Sequence, residues 1–237
     1  MSQQRTADYD FYYWQLPFRG QFIRAILAFA GKSWDEHDDD EIAALISGAP
    51  GDQPLPFMGP PLLIDRNADL VLSEMPAIAL YLGETLALIP DAPAARAMTL
   101  KVVNDANDVI DELTLDGGRE MWTGDKWKSF VPRLARWMTI WEVLGARHGL
   151  AQDHGFLLGG EEPGVADIVT STLWMTMSDR FPAIAALLDE TAPHVAALSR
   201  RIQALPPLEK LSKAAFETYG DGYCGGQIEK SLRSVAG

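Results

Sequence analysis

From Tyr9 to Leu16 the chain is rich in aromatic residues, and this block, broken by Pro17, reads as a buried strand. Phe22, Ile23, Ile26, Leu27 and Ala30 then recur at helical spacing, which predicts a helix over 19–30 that Gly31 stops. After Trp34 the apolar pattern gives way to the acidic run Asp35-Glu36-His37-Asp38-Asp39-Asp40-Glu41, expected as a solvated loop or helix face, with only an uncertain strand nearby. The Gly- and Pro-rich stretch from Gly48 to Pro61 reads as a long loop of the kind that borders sites. Leu62-Leu63-Ile64 and Leu70-Val71-Leu72 flank the turn Arg66-Asn67-Ala68-Asp69 and predict a hairpin. Met75, Ile78, Ala79 and Leu82 return to helical spacing. The order strand, helix, uncertain strand, hairpin, helix predicts a small α/β domain over residues 9–86.

Past the turn-rich linker Ile89-Pro90-Asp91-Ala92-Pro93 the pattern becomes helical throughout. Helices are expected over 96–115, 126–148, 166–177 and 193–205. In the second of these, Phe130, Leu134, Trp137, Trp141 and Leu144 alternate by four and three, a helix-packing stripe. Residues 94–212 are therefore expected to form an all-α helical bundle. Residues 213–237 form a tail, glycine-rich and expected to be irregular from Tyr219 to Gly226.

The 237 residues carry 33 acidic and 20 basic side chains, a formal net charge of −13. That balance argues against nucleic acid and against an anionic membrane surface, since both need clustered Lys and Arg. No apolar run approaches the ~18 residues of a membrane span, and Met1-Ser2-Gln3-Gln4-Arg5 lacks an apolar signal core. The single cysteine, Cys224, excludes an intrachain disulfide. The expectation is a soluble, acidic, cytoplasmic protein. No P-loop, dinucleotide fingerprint or G-x-S-x-G elbow is present. His37, His148, His154 and His194 are scattered outside metal-ligand spacing, so no metal is expected. Cys224 lies in the tail, away from any strand–helix junction, and reads as an incidental or structural thiol.

Four segments carry more specific information: Tyr13-Trp14-Gln15-Leu16 leading to Ile23-Arg24; Phe57-Met58-Gly59-Pro60-Pro61-Leu62-Leu63-Ile64-Asp65; Ser73-Glu74-Met75-Pro76-Ala77-Ile78-Ala79-Leu80-Tyr81-Leu82; and Phe156-Leu157-Leu158-Gly159-Gly160 followed by Gly164-Val165-Ala166-Asp167. Through them, and through the order of elements over roughly residues 9–212, the chain resembles the cytosolic glutathione transferases. The likeness is to the tyrosine type (mu, pi and sigma), with this chain as a divergent, bacterial-looking member. The resemblance implies a thioredoxin-like N-terminal domain and an all-helical C-terminal domain. It also implies glutathione as co-substrate, a small apolar electrophile as second substrate, a role in detoxification and a homodimer.

It further assigns residues. Tyr13 would donate a hydrogen bond to the glutathione sulfur; a free thiol has a pKa of ~8.5, and a bond to the charged form favours that form. Strand alternation makes Tyr9 and Tyr12 its rivals and turns Tyr12 away if Tyr13 points in. Pro61 would follow a cis peptide bond, and Pro60 before it offers a carbonyl but no N–H to the peptide. Glu74 and the backbone N–H of Met75, at a helix start, would take the γ-glutamyl end. Asp105 resembles the acid that reaches across a dimer to the glutathione amine. Trp14 joins the candidate binding set; Gln53 and Trp34 are the polar or amphipathic substitutes for the basic side chains this region lacks, with Arg19 added if it points inward, and Met121, Trp122, Tyr219 and Tyr223 are candidates to line the electrophile site. Gly164 and Asp167 read as a helix cap, a folding feature.

The departures are equally visible. Met75 stands where relatives carry serine, Pro60 lacks an N–H, and no Lys or Arg occurs between Lys32 and Arg66. Through residue 85 there are five basic and thirteen acidic residues, a poor field for an anionic tripeptide. The alternative reading is thus a binding module on the same fold with a degraded glutathione site. Glutathione chemistry other than simple conjugation is a third reading.

Overall fold

The computed structural model describes residues 7–237. Its N-terminal part runs β1 (Tyr9–Tyr12), α1 (Arg19–Phe29), β2 (Trp34–His37), α2 (Asp39–Ser47), β3 (Leu62–Asp65), β4 (Leu70–Ser73) and α3 (Met75–Thr85). The strands form one mixed sheet in the order β2-β1-β3-β4. β1 pairs parallel with β2, Tyr9 opposite Trp34, and antiparallel with β3, Tyr9 opposite Asp65. α1 and α3 pack on one another. This is the thioredoxin-like arrangement expected of the first domain.

Two local outcomes differ from the sequence reading. The first strand ends at Tyr12, because its antiparallel partner begins only at Leu62, directly after the cis Pro60–Pro61 bond. The acidic run splits between β2 and the first turn of α2. There Asp38 accepts from the Glu41 amide at 2.9 Å while Glu41 accepts from the Asp38 amide at 3.1 Å. Carboxylates in a first helical turn face the positive end of the helix dipole, so these acids stabilise α2 rather than merely coating it.

The C-terminal part is helical: α4 (Pro93–Leu113), α5 (Leu115–Gly118), α6 (Gly124–Arg147), α7 (Val165–Ser178), α8 (Pro182–Thr191), α9 (Pro193–Gln203), α10 (Pro206–Tyr219) and α11 (Gly226–Ala236). α7 is the central pillar. Val165 to Trp174 are all buried, and the helix touches α1, α4, α8 and α9. It therefore joins the helical part to the sheet domain through α1, the helix that follows Tyr13. α5 is a single turn with left-handed backbone from Leu115 (φ 48°) to Gly118 (φ 80°). The helix expected over 193–205 is found, and α8, α10 and α11 extend the bundle beyond the sequence reading. Among the described residues no helix is long and apolar enough to cross a membrane.

The cap at α7 matches its motif. The Asp167 carboxylate accepts from the amides of Gly164 at 2.9 Å and Leu157 at 2.7 Å. One side chain thus closes the helix start and pins the preceding loop. Burial raises the Asp167 carboxyl pKa despite these bonds.

Candidate active site

Tyr13 sits just past the end of β1, where the chain turns toward α1. Its hydroxyl accepts a hydrogen bond from the Arg19 amide, the first residue of α1, at 3.0 Å. A phenol has one proton and can accept as well as donate, so this bond leaves the hydroxyl proton to be given elsewhere. The ring lies parallel to that of Phe11 with centroids 6.3 Å apart, and is only 3% exposed. Tyr12, on the other face, stacks on His37 with centroids 3.8 Å apart, as strand alternation requires. Burial pushes the Tyr13 phenol up to about 12, against the opposing pull of Arg19, the helix amides and Arg24. At neutral pH Tyr13 is therefore a proton donor and not a base. Tyr9 is also pushed to about 12, by burial and by Asp65.

Gly20 makes this position possible. A Cβ there would stand 2.3 Å from Tyr13 Cδ1, so only glycine lets the second residue of α1 pass under the ring.

Arg24, one turn further on, braces the turn from inside. It is 2% exposed, pairs with Glu36 of β2 through Nε at 2.9 Å, and donates to the carbonyls of Leu16 at 2.9 Å and Trp14 at 3.3 Å. Its guanidinium lies 5.7 Å from the Tyr13 ring centroid. The segment from Tyr13 to Arg24 stood out in the sequence, but this role did not. An arginine among Ile23, Ala25 and Ile26 needs a carboxylate, and the acidic run that supplies Glu36 was the available signal.

Arg19 turns away from the sheet. Its Nε donates to Asn107 at 3.1 Å and its Nη2 pairs with Asp111, both on α4. Its guanidinium joins the two domains, while its amide serves Tyr13. Trp14 is half-buried against the core. The Gln53 side chain is spent on its own loop: Nε2 donates to the Leu45 carbonyl at 3.1 Å and Oε1 accepts from the Phe57 amide at 2.9 Å.

The Pro60–Pro61 peptide bond is cis, as the motif implied, and leads into β3. Glu74 is the N-cap of α3 with φ 74° and ψ 121°. A non-glycine residue in this region costs about 1–3 kcal/mol, and such strain concentrates at functional positions. Glu74 is exposed, whereas the Met75 side chain is buried in the core, so Met75 can offer a ligand only its backbone. Asp105 pairs with Lys101 one turn back on α4.

The candidate second-substrate residues diverge. Trp122 is buried against Trp127 and Phe130 and donates to the Leu113 carbonyl at 2.8 Å. Met121 is exposed. The Tyr219 ring lies 5.7 Å from the Arg24 guanidinium, and Tyr223 is buried with its ring against Phe18, centroids 5.3 Å apart. Tyr223 thus reaches the turn that carries Tyr13. A separate cleft of about 520 Å³ opens between the linker, the start of α4 and the loop before α7, and Tyr13 does not line it. No group of three His, Cys, Asp or Glu side chains among the described residues could hold a metal.

Three comparisons bear on identity. Residues 98–235 match the family model described as "Glutathione S-transferase, C-terminal domain". No curated protein sequence matches. Among solved structures, the chain is similar to the monomeric Na-GST-3, a glutathione S-transferase of Necator americanus (TM-score 0.70, 18% identity, covering 87% of this chain and 96% of that one). It is also similar to a Pi-class glutathione S-transferase of Onchocerca volvulus (TM-score 0.69, 16% identity, 87% and 93% covered). A third similar structure is prostaglandin synthase D of Nilaparvata lugens (TM-score 0.66, 17% identity, 88% and 98% covered). These identities establish a shared fold. The family match spans more than half of the chain, and the sheet domain before it carries the cis proline and the Tyr13 turn: the chain belongs to the glutathione S-transferase family.

Proposed function

We propose that this protein is a glutathione transferase of the tyrosine type, with Tyr13 as its thiol-activating residue. The observation that carries this reading is the bond from the Arg19 amide to the Tyr13 hydroxyl at 3.0 Å. It fixes the oxygen at a helix start and leaves a phenolic proton for a thiolate. Donation to the sulfur lowers the thiol pKa from its free value of ~8.5. The positive end of α1 works in the same direction. The sulfur lone pair then forms the bond to an electrophilic carbon, the thiol proton passes to water, and the leaving group departs with its electron pair.

Glutathione would lie between the carbonyl side of Pro60, the strained cap at Glu74 and the Met75 amide. Glu74 supplies a carboxylate for the γ-glutamyl ammonium. The electrophile is apolar, since Phe18, Leu16 and Tyr223 are the side chains gathered around the Tyr13 turn. The working form in this reading is a cytoplasmic homodimer in which Asp105 of one subunit serves the site of the other. The free thiol of Cys224 suits a reducing compartment.

The test is calorimetric titration of glutathione into the wild type and Tyr13→Phe, with the thiol pKa of the bound peptide followed by thiolate absorbance. Losing a hydrogen bond to a charged group costs about 1.5–3 kcal/mol, so turnover should fall by about 10–100-fold and the bound thiol pKa should rise by about 1–2 units. Binding by both proteins with one common thiol pKa would remove Tyr13 from the mechanism. No binding by the wild type would favour the binding-module reading.

A further inference from the structure

The cleft between the interdomain linker, the start of α4 and the loop before α7 measures about 520 Å³, within the ~300–1,000 Å³ of small-molecule sites. Its walls follow from the chain. At the end of α3 the Ala87 amide donates to the Glu84 carbonyl at 3.2 Å and the Leu88 amide to the Gly83 carbonyl at 2.7 Å. This cap puts Ala87 in the left-handed region, φ 56°, and turns the linker away from the helix. The Leu88 carbonyl then accepts from the Val165 amide at 3.0 Å, so the linker and α7 are joined where both line the cleft. α4 contributes Ala94 and Ala95 from its first turn, and the loop contributes Gly159 and Gly160. Side chains this small leave the space between the three segments unfilled.

The lining is apolar within and acidic at the loop. Ile89, Met98 and Val165 supply hydrocarbon. The buried polar side chains are already paired: Thr99 donates to the Ala95 carbonyl at 3.0 Å, and the two Asp167 oxygens accept from the Leu157 and Gly164 amides. Glu161 and Glu162 are exposed and, among the described residues, neither has a hydrogen bond or ion pair. No lysine or arginine lines the cleft, and His148 stands exposed beside it. An apolar anion would therefore meet two carboxylates and no ammonium or guanidinium, whereas a cation would meet two opposite charges.

We infer that this cleft is a second binding site, apart from the Tyr13 turn, for a small apolar organic cation. A fused-ring or branched hydrocarbon body fills the cleft, and its ammonium head lies at Glu161 and Glu162. A polar body does not suit it, because the interior donors and acceptors are taken. The site does not depend on glutathione chemistry at Tyr13.

Naphthylmethyl-trimethylammonium, naphthylmethanol and naphthylacetate share one aromatic body and differ in charge. Each is titrated by calorimetry into the full chain, with and without saturating glutathione. The ammonium should bind about tenfold tighter than the alcohol, and the acetate more weakly than either. That advantage should shrink as salt is added. Glu161→Gln combined with Glu162→Gln should bring the ammonium to the affinity of the alcohol and leave the alcohol unchanged. Ala95→Trp fills the cleft and should weaken the ammonium by about tenfold or more. Should that variant fail to fold, Ala94→Trp, at an exposed position of the same turn, takes its place. Glutathione and Tyr13→Phe should leave the ammonium affinity as it is. Four outcomes overturn the assignment: no binding of the ammonium, equal affinity for ammonium and alcohol in the wild type, binding that survives the tryptophan in a folded protein, or displacement by glutathione. None of them bears on the proposed function, which is read from glutathione binding and the bound thiol pKa.

Discussion

The Arg24 guanidinium donates to the Leu16 carbonyl at 2.9 Å, so a cation buried in α1 holds the turn that follows β1. The same group pairs with Glu36 and reaches the Trp14 carbonyl. Three separate stretches of chain meet on one side chain.

Arg24→Leu should therefore cost more than a surface substitution. Removing one partner of a buried pair is destabilising by about 3–5 kcal/mol; because Glu36 keeps some solvent contact, the lower part of that range is expected. Arg24→Lys should recover only part of the loss, since an ammonium lacks the planar fork that serves a carboxylate and two carbonyls together. Urea unfolding of the three proteins measures this. Equal stability of Arg24→Lys and wild type would show that the fork geometry does not matter.

Gly20→Ala reverses an ordinary expectation. Alanine in place of a helical glycine normally stabilises by about 1 kcal/mol. Here the added methyl would stand 2.3 Å from Tyr13 Cδ1, and forcing extra volume into packed structure costs about 1–3 kcal/mol. The variant should be less stable than wild type and lose glutathione turnover as Tyr13 shifts. A more stable, fully active Gly20→Ala would show that the Tyr13 ring is not held where it is described.

Asp167 tests the cap motif. Its carboxylate satisfies two amides in a buried setting. Leaving buried donors unpaired costs about 1–3 kcal/mol each, so Asp167→Ala should lower stability by about 2–4 kcal/mol, with Asp167→Asn between it and wild type. Thermal melts of the three proteins provide the comparison. Turnover per folded molecule should stay constant, because the cap touches no substrate.

These cases also show which parts of the molecule were legible in the sequence. Gly164 and Asp167 were readable because a cap is local: donor, acceptor and spacing lie within four residues. The helix around Trp141 was readable because it buries a regular stripe, and the one around Ile168 because a long apolar run follows the cap. α2 was not, since Ile42 is its single buried residue and its acids mimic a solvated loop. α11 was hidden behind the glycines at 220, 222, 225 and 226. In the candidate site, Tyr13, Pro61 and Glu74 belong to short motifs, so the sequence alone suffices to propose them. It does not suffice for what Arg19, Arg24 and Gln53 do, because each is defined by partners. Arg19 meets Asn107 and Asp111 across 88 and 92 positions, a separation no local pattern encodes. Gln53 shows the opposite hazard: a polar side chain in a site-bordering loop whose amide goes to folding that loop.

A polar cluster at the sheet edge gives the last prediction, on pH. His37 Nε2 meets Asp10 at 2.8 Å and Nδ1 meets Glu41 at 3.1 Å, while Tyr12 stacks on the ring and Arg66 also pairs with Asp10. Partial burial disfavours the imidazolium, but the bonds to Asp10 and Glu41 outweigh it and raise the imidazole above its ordinary 6.5. A group whose pKa is higher in the folded chain binds its proton more tightly there, so the folded state is favoured while the proton is on. The stabilisation is complete below about 6.5, the unfolded value, and drains away as pH climbs through the raised folded value. His37→Gln removes the titration. The melting temperature of wild type minus that of His37→Gln should therefore be largest on the acid side of neutrality and shrink toward alkaline pH. Below the ordinary carboxylate range a second loss sets in for the wild type. Although partial burial opposes it, Arg66 and His37 hold the Asp10 carboxyl below its usual value, and the stability it contributes disappears as that group takes up its proton. A difference that is flat from acid to alkaline pH would mean that His37 keeps the same proton in both states, and that the sheet edge is held by Arg66 and stacking alone.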